Sequence, residues 1–276
     1  MGGEKRLRKH RYQGKLDVRA RIDHLLDPRS FVKIGTLVGG TDAPADAVVI
    51  GSGSVHGRPV MVAAGDFTVL AGTISSASNA KRYRVAEIAM TDRVPLVMML
   101  EGAGFRADGK ARPRTPTDVL AQASCSGKVP VVTAILGASA GHGALVTPVS
   151  DYLVMSAPAS VFTAGRPVVF ESLGEKISKE DLGGPGVAVP SGLIHNVAPD
   201  DGAALDLIGI YPDYFPSSAW SLPLDVESGD VDYRSVPELL EITRSNGRHV
   251  YDMHDVLDVV FDRARASRCG WGSANR

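Results

Sequence analysis

The sequence predicts an α/β fold with a largely parallel sheet, and three apolar runs carry that prediction. Residues 94–100, 129–136 and 151–155 are stretches of strand length that are apolar except for Thr133 and Asp151, and the first two begin beside a proline and lead into glycine-rich segments. Buried parallel strands have such continuous apolar sequences, and the helical segments expected between them favour crossover connections. The repetition fits a repeating ββα superhelix, and a doubly wound sheet would fit almost as well.

The elements before these runs follow from local patterns. Val18, Ile22 and Leu25 have helical spacing, and Asp27–Pro28 predicts the end of that helix. Between residues 31 and 69 the sequence changes to short runs rich in β-branched residues. The other predicted elements are strands at 47–50 and 59–63, a hairpin-like connection at 51–57, and a helix over 79–90.

Composition excludes several classes of protein. The 276 residues carry 30 Lys and Arg against 31 Asp and Glu, so no overall charge points to nucleic acid. The two cysteines, Cys125 and Cys269, have no metal-ligand spacing, and neither a metal site nor a disulfide framework is expected. No apolar run has the length of a membrane helix, and no secretory signal is evident. We expect a cytoplasmic protein without membrane or nucleic-acid partners.

The first 21 residues are rich in lysine and arginine from Lys5 to Arg21. Such a run is typical of a solvated helix face, and it is also suited to phosphate groups. The sequence alone leaves both interpretations open.

Residues 137–141, Gly-Ala-Ser-Ala-Gly, fit the G-x-S-x-G pattern of a nucleophile elbow. A serine hydrolase would need an acid and a histidine after Ser139. His195, His249 and His254 follow it, but a chain with seven histidines and many aspartates would meet that order by chance. The alternative uses the backbone of Gly141, His142 and Gly143. N–H groups at a helix start are unpaired and can form an oxyanion hole, although a tight turn without a ligand has the same pattern.

Several motifs together resemble the carboxyltransferase (beta) subunits of biotin-dependent acyl-CoA carboxylases. The run 65–72, GDFTVLAG, resembles D-F-T-V-L-G-G, and 101–106, EGAGFR, resembles D-S-G-G-A-R. Residues 137–148, GASAGHGALVTP, resemble G-P-C-A-G-G-A-x-x-x-P with one residue inserted. The remaining matches are Lys15–Leu16, Arg21–Ile22, 25–31, 182–184 and 191–195, so the resemblance covers about residues 10–200.

This resemblance implies a crotonase-like fold and the acyl-CoA side of a carboxyltransferase. In that family the thioester carbonyl lies in an oxyanion hole, the biotin anion accepts the α-proton, and the enolate captures CO₂. Biotin would be on a partner protein, not covalently on this chain. The implied acyl-CoA contacts, besides the backbone donors Gly141, His142 and Gly143, are Phe67, Gly102, Ala103, Gly104, Arg106 and Ala144. Lys81 and Arg82 follow the run 65–72 near an expected helix start, which suits them to the CoA phosphates, and a solvated surface role is the alternative for each.

The resemblance ends where a second crotonase-like half would follow. We predict a domain over residues 1–235, and over 236–276 the start of a second half with an unrelated, disordered tail from Arg263. Expected partners are a biotin carboxylase and biotin carrier (alpha) subunit, and either further copies or a chain with the missing half. The apolar run Leu205–Tyr211 is expected to be exposed for that mate. Alternatives are a stand-alone acyl-CoA decarboxylase and a non-catalytic assembly subunit.

Overall fold

The computed structural model describes residues 1–40, 43–106, 116–223, 233–244 and 246–261. These residues form two units, one within residues 1–223 and one within 233–261. Residues 233–235 belong to the second unit, and the domain boundary that we expect after residue 235 stays a prediction. The tail expected from Arg263 lies outside the described residues.

The first unit is built on an eight-stranded sheet. The described strands are β1 (Val32–Ile34), β2 (Val48–Val55), β3 (Arg58–Gly65), β4 (Leu96–Gly102), β5 (Val131–Ala140), β6 (Tyr152–Ser156), β7 (Ser160–Phe162) and β8 (Asn196–Ala198). Strands β1 to β3 are antiparallel neighbours, and β3 to β6 and β8 follow in parallel, with β7 beside the end of β5. The strand order follows the chain without the reversal that a doubly wound sheet has, as expected for a repeating superhelix.

The glycine-rich segment after Ile50 is strand and not the predicted connection. Strands β2 and β3 pair as far as Val55 and Arg58, so only two residues form the turn. A Cβ on Gly51 would lie 2.5 Å from the Phe31 ring, and one on Gly53 would lie 2.5 Å from a methyl of Leu26. These glycines therefore let neighbouring segments approach the sheet closely.

The described helices are α1 (Glu4–Tyr12), α2 (Val18–Leu25), α3 (Ser76–Asp92), α4 (Asp118–Ala123), α5 (His142–Leu145), α6 (Arg166–Leu173), α7 (Lys179–Gly183), α8 (Pro185–Ala188), α9 (Asp201–Ile210), α10 (Glu238–Thr243) and α11 (Met253–Val260). Several of them begin at a polar cap. Asp17 accepts hydrogen bonds from two amides at the start of α2, and Ser75 and Ser78 form a reciprocal capping box at the start of α3.

Helix α9 covers the sheet of its own chain, which corrects the expectation that its apolar run is exposed. Leu205 is 1% exposed and Ile208 is fully buried, in a cluster with α2 and the sheet. Tyr211 stacks on Tyr152, with ring centroids 4.3 Å apart. The buried positions of the run have helical spacing, and that face needs no second half to cover it, whereas Ile210 remains exposed.

The second unit contains α10 and α11. No helix in the described ranges is both long and apolar enough to cross a membrane.

Candidate active site

Two glycine turns meet at the carboxyl ends of neighbouring strands. The first, residues 102–104, follows β4, and the second, residues 141–143, follows β5. Gly102 pairs with Ser139 across the two strands, and a Cβ on Gly141 would lie 3.7 Å from the Cα of Gly104. The structure therefore brings together the two turns that the sequence indicated as one site.

A third segment, Ala71–Gly72, completes this cluster of turns. The Ala103 amide donates to the Ala71 carbonyl at 2.9 Å, and a Cβ on Gly72 would lie 2.7 Å from the Cα of Gly102. Gly72 also has a positive φ of 66°, which disfavours a side chain. Sequence reasoning selected only Phe67 from this run, although the small residues that end the run already indicated a close approach.

The turn after β5 leaves two backbone donors unused. The Gly141 amide donates to the Phe162 carbonyl, and the amides of Ala144 and Leu145 both donate to the Gly141 carbonyl. In the part of the chain that the structure describes, the amides of His142 and Gly143 have no acceptor. Ala144, one of the expected contacts, is buried and its amide is used within the turn.

Ser139 is not placed as a nucleophile. Its side chain is 1% exposed, and its hydroxyl has no hydrogen-bond partner among the described residues. The His195 ring accepts the Leu153 amide at 2.9 Å, and burial lowers its pKa. The arrangement that the G-x-S-x-G pattern would require is not formed in these parts of the chain.

The imidazole of His142 is held by a buried carboxylate. Its Nε2 bonds to Asp118, which is fully buried and also lies 2.8 Å from the Nε of Arg82. Burial opposes ionisation of Asp118, but Arg82 and the hydrogen bond with His142 outweigh it and lower the pKa of this carboxyl. Asp118 was missed by sequence reasoning, because nothing local connects it to a turn 24 residues later.

A groove of about 600 Å³ lies beside the turns. Phe67 and Arg106, two of the expected contacts, line it, and helix α1 contributes Arg6, Lys9 and His10. The His10 and Phe67 rings stack with centroids 6.3 Å apart. The basic N-terminal segment therefore faces a groove, which favours its interpretation as a phosphate contact.

Arg106 is fixed at one end of this groove. Its guanidinium bonds to the carboxylate of Asp46 and donates to the Thr73 carbonyl at 2.9 Å. Burial opposes ionisation of Asp46, but Arg106 and the Ser75 hydroxyl lower its pKa. Arg106 thereby links the end of the first glycine turn to two segments around it.

Lys81 and Arg82 do not lie where the sequence placed them, at CoA phosphates in solvent. Lys81 is 3% exposed, and its ammonium donates to the carbonyls of Ala45 and Val48. Burial, with a smaller effect of Lys33, lowers the pKa of Lys81 to about 8. Arg82 is 4% exposed and pairs with Asp118. The face of α3 that carries both packs on the sheet, so their expected role is corrected.

A buried ion cluster lies under the first glycine turn. The carboxylate of Glu101 lies 2.6 Å from the Lys15 ammonium and 2.7 Å from the Arg21 guanidinium. Arg21 also pairs with Asp201 at 2.7 Å. A Cβ on Gly137 would lie 2.5 Å from the Lys15 ammonium and closer still to the Glu101 carboxylate. The first glycine of the G-x-S-x-G pattern therefore leaves room for an ion pair.

The described residues contain no group of three side chains suited to a metal ion.

Comparisons with known proteins find a family that matches most of this chain. The carboxyl transferase domain family matches residues 9–271. The methylmalonyl-CoA carboxyltransferase 12S subunit of Propionibacterium freudenreichii subsp. shermanii is 32% identical over 273 residues, which are 95% of this chain and 52% of that protein.

Two further proteins are similar over the same part of the chain. The methylmalonyl-CoA decarboxylase subunit alpha of Veillonella parvula is 31% identical, over 95% of this chain and 54% of its own length. A crystal structure of transcarboxylase 12S, a hexamer with methylmalonyl-CoA and methylmalonic acid bound, matches with a TM-score of 0.86 at 30% identity. It covers 95% of this chain and 53% of its own. The chain spans about half the length of the curated relatives it matches.

Proposed function

Because this chain belongs to the carboxyl transferase domain family, we propose that it is the acyl-CoA-binding half of a biotin-dependent acyl-CoA carboxyltransferase. A carboxyl group passes from carboxybiotin, held by a partner, to the α-carbon of a short acyl-CoA. The names of the similar proteins and the half-length coverage support this assignment.

The observation that carries the proposal is the pair of unused amides at His142 and Gly143, held beside Gly104. N–H donors in such a turn stabilise the negative charge that develops on a thioester oxygen when the α-carbon loses its proton. This stabilisation needs no titrating side chain. The nearby ring of His142 and the guanidinium of Arg106 are each bonded to a carboxylate, which suits positioning roles.

The groove beside the turns is the proposed place for CoA. Arg6 and Lys9 provide cations for phosphates along one wall, and Phe67 provides an aromatic face. Arg106 lies in the same groove next to the first glycine turn. This arrangement replaces Lys81 and Arg82 as the proposed phosphate contacts.

We assign biotin to a partner protein. After β8, the described residues form only helices and a short 3₁₀ turn at 211–214, and nothing there repeats a glycine turn between a strand and a helix. The carboxyl group comes with the carboxybiotin of a carrier subunit, and the partner that completes the site is a chain with a second half or another copy. The hexameric transcarboxylase 12S supports an assembled site.

The test combines acyl-CoA binding with a transfer assay. The chain alone should bind acetyl-CoA or propionyl-CoA in calorimetry and form no carboxylated product from a carboxylated biotin carrier. Adding a chain that contains the second half should start product formation. Failure to bind any thioester would refute the proposal, and rapid transfer by the chain alone would place a biotin site within it.

The Veillonella parvula relative favours a second candidate, removal of a carboxyl group from a methylmalonyl-type thioester. The same two amides would stabilise the enolate left when CO₂ departs. Release of propionyl-CoA from methylmalonyl-CoA by the chain alone would favour this activity. A chain that binds full-length carboxyltransferase subunits but no thioester would instead be an assembly subunit.

A further inference from the structure

We propose that the imidazole of His142, supported by Asp118, accepts a proton from the α-carbon of the bound thioester. The chain alone then exchanges the α-protons of an acyl-CoA with solvent, an activity that needs no biotin partner. This inference rests on the proposed function, because it concerns the same thioester site. It differs from the mechanism that the carboxyltransferase resemblance implies, in which the biotin anion accepts this proton.

The ring belongs to one of the two residues whose amides are the proposed contacts of the thioester oxygen. His142 begins α5, and its amide and that of Gly143 have no acceptor among the described residues. In any histidine the amide nitrogen and the ring nitrogen Nδ1 are joined through Cα, Cβ and Cγ alone. A thioester held by the His142 amide therefore has its carbonyl group, and the α-carbon attached to it, beside this side of the ring.

Asp118 determines which ring nitrogen is able to accept a proton. Burial opposes ionisation of this carboxyl, but Arg82 and the hydrogen bond with His142 lower its pKa, so that it is ionised and only accepts. The bonded Nε2 of His142 therefore carries the hydrogen, and Nδ1 is the acceptor of the neutral ring. Nδ1 has no partner in the described parts of the chain, and the side chain is 17% exposed. This nitrogen is left for a ligand.

Asp118 is itself held in place by its neighbours. It lies 2.8 Å from the Nε of Arg82 and accepts a hydrogen bond from the Gln122 amide group at 2.8 Å. Its own backbone amide donates to the Asn79 side chain at 3.1 Å. A carboxylate anchored in this way orients an imidazole and stabilises the positive charge that the ring gains with a proton. The motif that the turn resembles has no histidine, so this pair is a feature of the present chain.

The exchange step balances without a further reactant. Nδ1 takes the α-proton, and the electron pair of the broken C–H bond forms the enolate. The amides of His142 and Gly143 stabilise the negative charge on the enolate oxygen. In D₂O the protonated ring exchanges its proton for a deuteron and returns the deuteron to the α-carbon, which restores both the neutral ring and the thioester.

The test measures deuterium incorporation into acetyl-CoA by mass spectrometry, with the full chain alone in D₂O. The unmodified chain should label acetyl-CoA faster than buffer does. His142→Ala keeps the backbone amide and should slow labelling about 100-fold or more, and added imidazole should restore part of the rate. Asp118→Asn should slow labelling about tenfold or more, because a side-chain amide no longer fixes the tautomer. His24→Gln is the matched control, since His24 also bonds to an aspartate, Asp206 at 2.8 Å, but at the surface.

The outcomes separate this inference from the function on which it rests. A chain that binds acetyl-CoA in calorimetry but does not label it overturns the inference alone. Labelling that persists in His142→Ala also overturns it, and so does a loss that imidazole does not restore, because the ring then only supports the turn. Failure to bind acetyl-CoA or propionyl-CoA overturns the inference and the proposed function together. If His142→Ala does not fold, loss of labelling with retained binding in His142→Gln decides the question, because glutamine still has a donor for Asp118.

Discussion

Replacing Gly137 with alanine should destabilise the protein, although glycine to alanine is a small change within a strand. The added Cβ would lie 2.5 Å from the Lys15 ammonium and closer to the Glu101 carboxylate. Both side chains belong to the ion cluster under the first glycine turn, and Glu101 is 2% exposed. One of the two must therefore move, and the easier movement is that of Lys15 toward solvent.

The expected loss follows from packing and from charge. Overpacking an interior costs about 1–3 kcal/mol, and removing one partner of a buried ion pair costs about 3–5 kcal/mol. The second figure is an upper limit here, because Lys15 is partly exposed and Arg21 still neutralises Glu101. We expect Gly137→Ala to lower the free energy of unfolding by about 2–4 kcal/mol.

Urea unfolding followed by circular dichroism measures this loss. Gly186→Ala is the matched control, since no atom lies within 4 Å of its Cβ and it occupies a helix, where alanine is preferred. The loss caused by Gly137→Ala should shrink when Lys15→Ala is also present, because the displaced group is then absent. If Gly137→Ala remains within about 0.5 kcal/mol of the control, the steric argument is wrong.

Three further predictions concern the site and its supports. Gly143→Val should reduce carboxyl transfer, assayed with the complementary half, by about 100- to 1000-fold, and a loss below tenfold would contradict the backbone-donor assignment. Arg6→Ala with Lys9→Ala should weaken CoA binding in calorimetry about three- to tenfold at low salt, less at high salt, whereas Lys5→Ala, outside the groove, should not. Because the pKa of Lys81 is lowered from 10.5 to about 8, the unfolded chain binds more protons than the folded chain between these two pH values. The free energy of unfolding should therefore rise by about 2–4 kcal/mol as the pH increases from 8 to 10.5. Lys81→Met should lack this gain in urea titrations at pH 8 and 10.5, and an equal gain in both proteins would refute it.

The parallel strands and the glycine turns could be predicted from the sequence because their signals are local. An unbroken apolar run followed by glycines encodes both a buried strand and a close approach at its end. The carboxyltransferase resemblance is confirmed by the family match over residues 9–271, and the crotonase-like fold by the structural match. These conclusions needed only motif order and short-range pattern.

The buried charges could not be predicted, because their partners are distant in sequence. Lys15 and Glu101 are 86 residues apart, and no periodicity connects them. Lys81 and Arg82 look like surface cations in a helical pattern, but backbone carbonyls and Asp118 hold them inside. Leu205 was assigned to an exposed face because the sequence pattern of a helix does not show which surface its apolar side covers, and here that surface is the sheet of the same chain.

The ion pair between Arg21 and Asp201 joins positions 180 residues apart, and this separation has a consequence for folding kinetics. Contacts between distant positions form slowly, since the entropy of closing the intervening loop opposes them. Arg21 is synthesised early, yet it is without the carboxylate of Asp201 until α9 has formed. The support beneath the first glycine turn is therefore completed late, and slow steps in refolding should be sought where α9 docks.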